Sequence, residues 1–305
     1  MKRFLLFGLG VLLIGVGILG LVVPVLPGWL FLFIGFSMTA PRLAARIRWR
    51  IFQKRFRRDI LYFEEWKPQS VEAGYTTRHF SLHLRKTDDL LTERNQNEFL
   101  RLFASSRAVI EKALRPPQKL VLLKQVHGDR IVVLDDPAAF EKPGFYSEDS
   151  ADGAITRVSC LTLLVFSADC LSIFYSADDW VGLAHAGWRG TKAGLAGKML
   201  KLLSEKSGVP CDRIQVIYGP RIGPSAYRVG EEFTGHFPKT SLRRVRGKLY
   251  FDLSTENKRQ LQEAGVNLEN LTDPGVCTVS QNSDFYSFRK EGEKAGRIVS
   301  FITKV

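Results

Sequence analysis

The chain has 305 residues, 45 % of them hydrophobic, which exceeds one average domain and is enough to bury a full core. A formal net charge of +13 points to nucleic acid or an anionic membrane. Residues 1–58 hold ten Lys or Arg and no acid, so the basicity is local and the remainder, at +3, is nearly neutral. The four cysteines, Cys160, Cys170, Cys211 and Cys277, are widely spaced with no CxxC, which makes a poor disulfide framework and suits a reducing compartment.

Phe4 to Met38 is an uncharged, mostly apolar run of 35 residues. About 20 residues cross a bilayer once, so the run is too long for one straight span and short for two. Pro24 and Pro27-Gly28 break it into Phe4–Val23 and a return segment, Trp29–Ala40. This predicts a transmembrane or re-entrant helical hairpin over residues 1–41. Positive charge at both ends predicts that both lie in the cytoplasm, so that the protein is membrane-anchored with its main domain in the cytoplasm. A cleaved signal peptide fits less well, because the run is long and Pro41 would follow the cut. Residues 42–70 read as a basic juxtamembrane helix and linker with Trp49, Phe52, Phe56 and Trp66. Lys and Arg near anionic headgroups contribute about 1 kcal/mol each, so residues 42–58 are expected to bind anionic lipid and no nucleic acid. Pro68-Gln69-Ser70 marks the boundary to a domain over residues 71–305.

Within that domain short apolar runs alternate with helical stretches. Strands are expected at 120–126, 131–134, 161–166, 171–175, 181–184, 214–218, 249–252 and 298–302, and helices at 90–114, 191–206, 231–237 and 254–264. Neighbouring strands often pair as hairpins, so the expected fold is α+β, with mixed β-sheets packed between helices.

The stretch Ser167-Ala168-Asp169-Cys170, the apolar run 171–176, the polar turn 177–179 and the run 180–184 ending at His185 read as a β-hairpin. With Ser176–Asp179 as the loop, Tyr175 faces Trp180 and Cys170 falls opposite His185, with Cβ atoms about 5 Å apart. A sulfur and an imidazole at that distance can share a metal ion, and they equally fit a buried Cys beside a core His. Five histidines limit the choices for a third ligand. His79 and His83 form a lone pair and His236 sits near the surface. His127, in Lys124-Gln125-Val126-His127-Gly128-Asp129, closes a strand before a glycine turn and is the candidate. Two His and one Cys leave a fourth tetrahedral position open, as in catalytic zinc sites.

A set of motifs in fixed order then carries a resemblance: Gln125-Val126-His127-Gly128, Ala151-Asp152-Gly153-Ala154, Ala168-Asp169-Cys170, Ala184-His185-Ala186-Gly187-Trp188-Arg189-Gly190, Gly219-Pro220-Arg221-Ile222-Gly223-Pro224, Phe285-Tyr286-Ser287-Phe288-Arg289 and Gly296-Arg297. Residues 71–305 are similar to the laccase-domain polyphenol oxidase or purine nucleoside phosphorylase family. The resemblance implies a zinc ion, with copper as the alternative, held by His127, Cys170 and His185. It also implies phosphorolysis of adenosine, inosine and methylthioadenosine and deamination of adenosine, with purine nucleosides and phosphate as ligands. Asp169 and Cys170 are then candidate catalytic residues, Arg189 and Arg289 candidate phosphate binders, Arg289 catalytic as well, and Gln125 a candidate purine contact. The helix expected just after His185 offers free amides to an anion.

Two departures touch the substrate side of the expected pocket. The family's glycine-rich N-terminal loop is shortened here to Gly74–Leu84, with Ser81-Leu82-His83, and Ser225-Ala226 stands where the family often has Cys. Other chemistries that an open His2Cys site allows are a zinc amidase or peptide hydrolase and a copper-dependent polyphenol oxidase. Multicopper centres use many clustered His ligands, and no His-x-His occurs in this chain.

Overall fold

The structure, a computed structural model, describes residues 60–63, 65–66, 70–80, 92–142 except 109–118, 144–148 and 150–305, with backbone alone for 102–108. The expected hairpin over 1–41 and the lipid-binding residues 42–58 lie outside the described residues. Among those described, no helix is long and apolar enough to cross a membrane, which overturns the expected membrane-anchored localisation.

Residues 58–305 form one compact unit. Its strands are β1 (Ile60–Tyr62), β2 (Val71–Thr76), β3 (Lys119–Leu123), β4 (Ile131–Leu134), β5 (Gly144–Glu148), β6 (Gly153–Thr156), β7 (Leu161–Ser167), β8 (Leu171–Ala177), β9 (Trp180–Ala186), β10 (Gln215–Tyr218), β11 (Arg228–Val229), β12 (Leu242–Val245), β13 (Lys248–Phe251), β14 (Leu271–Thr272) and β15 (Ile298–Lys304). Two six-stranded mixed sheets run in the orders β1-β2-β15-β7-β3-β5 and β14-β10-β8-β9-β6-β4. Every residue of β7, β8 and β9 is buried, as expected of strands covered on both faces. The two sheets face each other, and the Ser300 hydroxyl donates to that of Ser172 across the interface at 2.9 Å. The helices Leu195–Ser207 and Leu253–Glu263 cover the second sheet through Leu195, Met199, Leu200, Leu203 and Leu261. Phe99, on the helix Glu93–Ala108, packs edge-on against Phe80 and Phe145 over the first. The expected arrangement of mixed sheets between helices is present.

Three local expectations change. The strand Ile60–Tyr62 belongs to the first sheet, pairing with β2, although residues 42–70 read as helix and linker. Its three side chains are buried, and that burial outweighs the basic flank before it. The helix expected at 191–206 is two helices, Trp188–Lys192 and Leu195–Ser207, because Gly194 between them takes φ +82°.

The third change is register. Ala177 pairs with Trp180 and Ser172 with His185, so the hairpin loop is only Asp178-Asp179, with Asp178 at φ +48°. Ser176 and Ala177 were expected in the loop, yet both are buried in the sheet. The slip is two residues, which preserves the face each side chain occupies. Cys170 and His185 are therefore diagonal rather than opposite.

Candidate metal centre

The chain passes three times from the first sheet to the second at the same end of the sandwich: the β5 to β6 crossing carries Asp152, and the two remaining crossings carry ligands. One of these two, residues 124–130, joins β3 to β4 and carries His127. The other, Ala168-Asp169-Cys170, joins β7 to β8. His185, near the end of β9, lies between them. Ligand atoms of His127, Cys170 and His185 all fall within 4.8 Å of one another, and the two imidazole rings stand edge-on with centroids 4.8 Å apart. The trio expected from sequence is brought together.

One buried carboxylate holds it in shape. Asp152 accepts the main-chain N–H groups of Val126 at 3.1 Å, His127 at 3.0 Å and Gly128 at 2.7 Å, and its Oδ1 lies 2.8 Å from His185 Nδ1. His185 and Asp152 are 2 % and 0 % exposed. Burial by itself favours the neutral thiol at Cys170, but the charge of His185 and hydrogen bonds from His127 and His185 bring it down to about 6. Burial also opposes charge on His185, and the Cys170 sulfur and Asp152 override it, raising the imidazole to about 9. Free of metal, the pair is a thiolate beside an imidazolium. With Nδ1 held by Asp152, His185 presents Nε2 to the cluster. Two imidazoles and a thiolate at this spacing suit zinc or another transition ion, and the donor set fits.

The trio lines a cleft of about 680 Å³, a volume in the range of small-molecule sites. Lys124, Arg289 and Arg297 add positive charge to its wall. Val126 and Phe288, also in the wall, are 55 % and 48 % exposed and offer apolar surface to a ligand. Tyr227 lies under the Arg289 guanidinium, 5.2 Å from its ring centre, and burial pushes its hydroxyl pKa up.

The other expected site residues divide. Asp169, at φ +102°, lines the cleft, and its carboxylate accepts Thr278 Oγ1–H and the Arg289 N–H, both at 2.6 Å. Arg289 lines the cleft, and its Nη1 donates to the Arg228 carbonyl at 2.8 Å. Gln125 lines it too, but its amide clamps the Phe166 main chain. Nε2 donates to the Phe166 carbonyl and Oε1 accepts the Phe166 N–H, each at 2.7 Å. Arg189 is not in the wall; its guanidinium lies over the Trp188 ring at 4.4 Å. The helix that follows His185 is a five-residue turn, too short for the anion site expected at its start. Asp152 belongs to the Ala151-Asp152-Gly153-Ala154 motif, where no neighbouring residue signals its role. Tyr227 and Phe288 carried no chemical signal beyond aromatic character.

Residues 72–304 match the family described as multi-copper polyphenol oxidoreductase laccase. The chain belongs to that family. The purine nucleoside phosphorylase YlmD of Geobacillus stearothermophilus is 31 % identical over 208 residues, 64 % of this chain and 76 % of the relative. Adenosine deaminase RL5, from an unknown prokaryotic organism, is 30 % identical over 192 residues, 58 % of this chain and 72 % of its own length. The crystal structure of the Bacillus licheniformis hypothetical protein YfiH superposes with a TM-score of 0.67 at 26 % identity, covering 81 % of this chain and 97 % of that one. The laccase-family chain thus has relatives named for two reactions of purine nucleosides, and a metal-ligand cluster in its cleft.

Proposed function

We propose that this protein is a zinc-dependent purine nucleoside phosphorylase that converts adenosine, inosine or methylthioadenosine and phosphate to free base and ribose 1-phosphate, with adenosine deaminase activity at the same site. The observation that carries the reading is the placement of His127, Cys170 and His185 together in the wall of one nucleoside-sized cleft. Relatives named purine nucleoside phosphorylase and adenosine deaminase support it.

Held by His127, Cys170 and His185, the ion supplies Lewis acidity at the cleft wall. Phosphorolysis breaks the ribose C1′–N9 bond and forms a C1′–O bond to phosphate, and the base leaves with the electron pair and a proton. Lys124, Arg289 and Arg297 offset the charge of the incoming phosphate from the cleft wall. Asp169, occupied by Thr278 and the Arg289 main chain, serves this step by fixing where Arg289 stands. The exposed faces of Val126 and Phe288 shield the flat apolar surface of a purine. Gln125 contributes by locking the cleft wall to Phe166.

Copper-dependent oxidation, which the family's description names, is the weaker reading. The whole chain has five His, and one metal-ligand cluster occurs among the described residues. The deciding assay gives the purified protein each nucleoside with and without phosphate. Phosphate-dependent release of base and ribose 1-phosphate is expected. Phosphate-independent hydrolysis of amides, or oxidation of phenols without nucleoside turnover, would replace the reading.

A further inference from the structure

We propose that Asp152 is the positioning residue of the metal centre, setting both the tautomer of His185 and the place of His127 through one saturated carboxylate. The inference rests on the metal-site reading above and extends it to a residue that is not a ligand.

Each oxygen of Asp152 accepts two hydrogen bonds. Oδ1 takes the His127 N–H and faces His185 Nδ1; Oδ2 takes the N–H groups of Val126 and Gly128. A carboxylate offers about four lone-pair sites, so Asp152 has none left for a metal ion and acts through its neighbours. Three successive main-chain N–H groups closing on one anion form a nest. His127 sits at its centre with φ +61°, a conformation that a non-glycine residue keeps only where its surroundings hold it. The His185 main-chain N–H also donates to the Asp152 carbonyl at 2.7 Å, so the two residues are tied at ring and backbone. The loop bearing one ligand and the strand bearing another thus share one anchor, buried at 0 % exposure.

Asp152→Asn separates this role from simple packing, because it keeps size and changes one oxygen to a donor. If the amide NH2 takes the Oδ1 position, His185 satisfies it by accepting at Nδ1, which moves its proton to Nε2 and blocks the ligand atom. If the NH2 takes the Oδ2 position, it meets two N–H donors and pushes the 126–128 loop, and with it His127, away. Either orientation weakens the centre. Loss of a group that orients metal ligands costs about 10–100-fold in metal affinity.

The test measures zinc affinity by competition with a chromophoric chelator, on the full chain, for wild type, D152N and C170A. D152N is expected to bind zinc 10–100-fold more weakly than wild type, with unchanged far-ultraviolet circular dichroism and altered visible bands of the cobalt-substituted form. Equal affinity and equal cobalt spectra for D152N and wild type would overturn the inference while leaving the metal site standing. Wild type binding zinc no better than C170A would overturn both. Should D152N fail to fold, nitrogen–proton correlation spectra of zinc-loaded wild type decide. A His185 proton on Nδ1 supports the role and one on Nε2 refutes it.

Discussion

Cys170 stands against Gly187 rather than directly opposite His185. A Cβ added to Gly187 would lie 3.0 Å from the Cys170 sulfur and 3.0 Å from His127 Cδ2, so the absent side chain is what lets two ligands approach. Gly187 has φ −73°, which any residue adopts. Gly187→Ala is therefore expected to fold normally and to displace the ligands by a few tenths of an ångström. A misplacement of about 1 Å can cost about 100-fold in rate, so a loss of about 10-fold in kcat is expected here. Wild-type kcat and zinc affinity in G187A would show that the glycine is not needed for space.

The thiolate at Cys170 gives a pH-dependent signature. Its pKa near 6 lies below the ordinary thiol value, so metal-free protein should hold a thiolate above pH 6 and lose it as pH falls through that point. The difference in ultraviolet thiolate absorbance between metal-free wild type and C170A is expected to titrate near pH 6. A midpoint at the ordinary value of about 8.5 would mean that His185 does not stabilise the sulfur anion.

The two candidate phosphate-binding arginines should behave differently. Arg289 lines the cleft, and Arg189, packed over Trp188, does not. Removing a charge-assisted hydrogen bond costs about 1.5–3 kcal/mol, so Arg289→Gln is expected to raise the KM for phosphate about 10-fold or more. Arg189→Gln should leave that KM within about 2-fold. The reverse order in steady-state kinetics at varied phosphate would exchange their roles.

Gln125 was expected to touch purine, and its amide instead joins Phe166 on both sides. Gln125→Ala leaves an N–H and a carbonyl in the half-buried wall without partners, a loss of about 1–3 kcal/mol that thermal melting would register. A wild-type melting temperature together with a changed preference between adenosine and inosine would restore the purine contact.

Much of the centre was readable because its signals are local. Cys170 and His185 flank one hairpin, and His127 follows an apolar run just before Gly128, although the strand itself stops at Leu123. An error of two in the register kept their faces correct, since side chains alternate with period two. Asp152 was not readable as an anchor, because its partner His185 is 33 residues away and nothing nearby in sequence marks the pairing. The same holds for Gln125 and Phe166, 41 residues apart. The strand Gly153–Thr156 was missed because Gly153 and Ala154 carry little strand propensity. Its place between β4 and β9, with all four residues buried, sets its conformation. The membrane-anchored reading came from an apolar run and its flanking positive charge, and it gained no support from a spanning helix among the described residues.

The central claim is that His127, Cys170 and His185 hold the ion on which nucleoside phosphorolysis depends. The most direct measurement titrates chelator-stripped protein with zinc while following ribose 1-phosphate formed from inosine and phosphate. Activity should be absent at the start and rise in proportion to added zinc, with a break at one equivalent per chain. Full turnover by stripped protein, or a stoichiometrically zinc-loaded protein that forms no ribose 1-phosphate, would contradict the account.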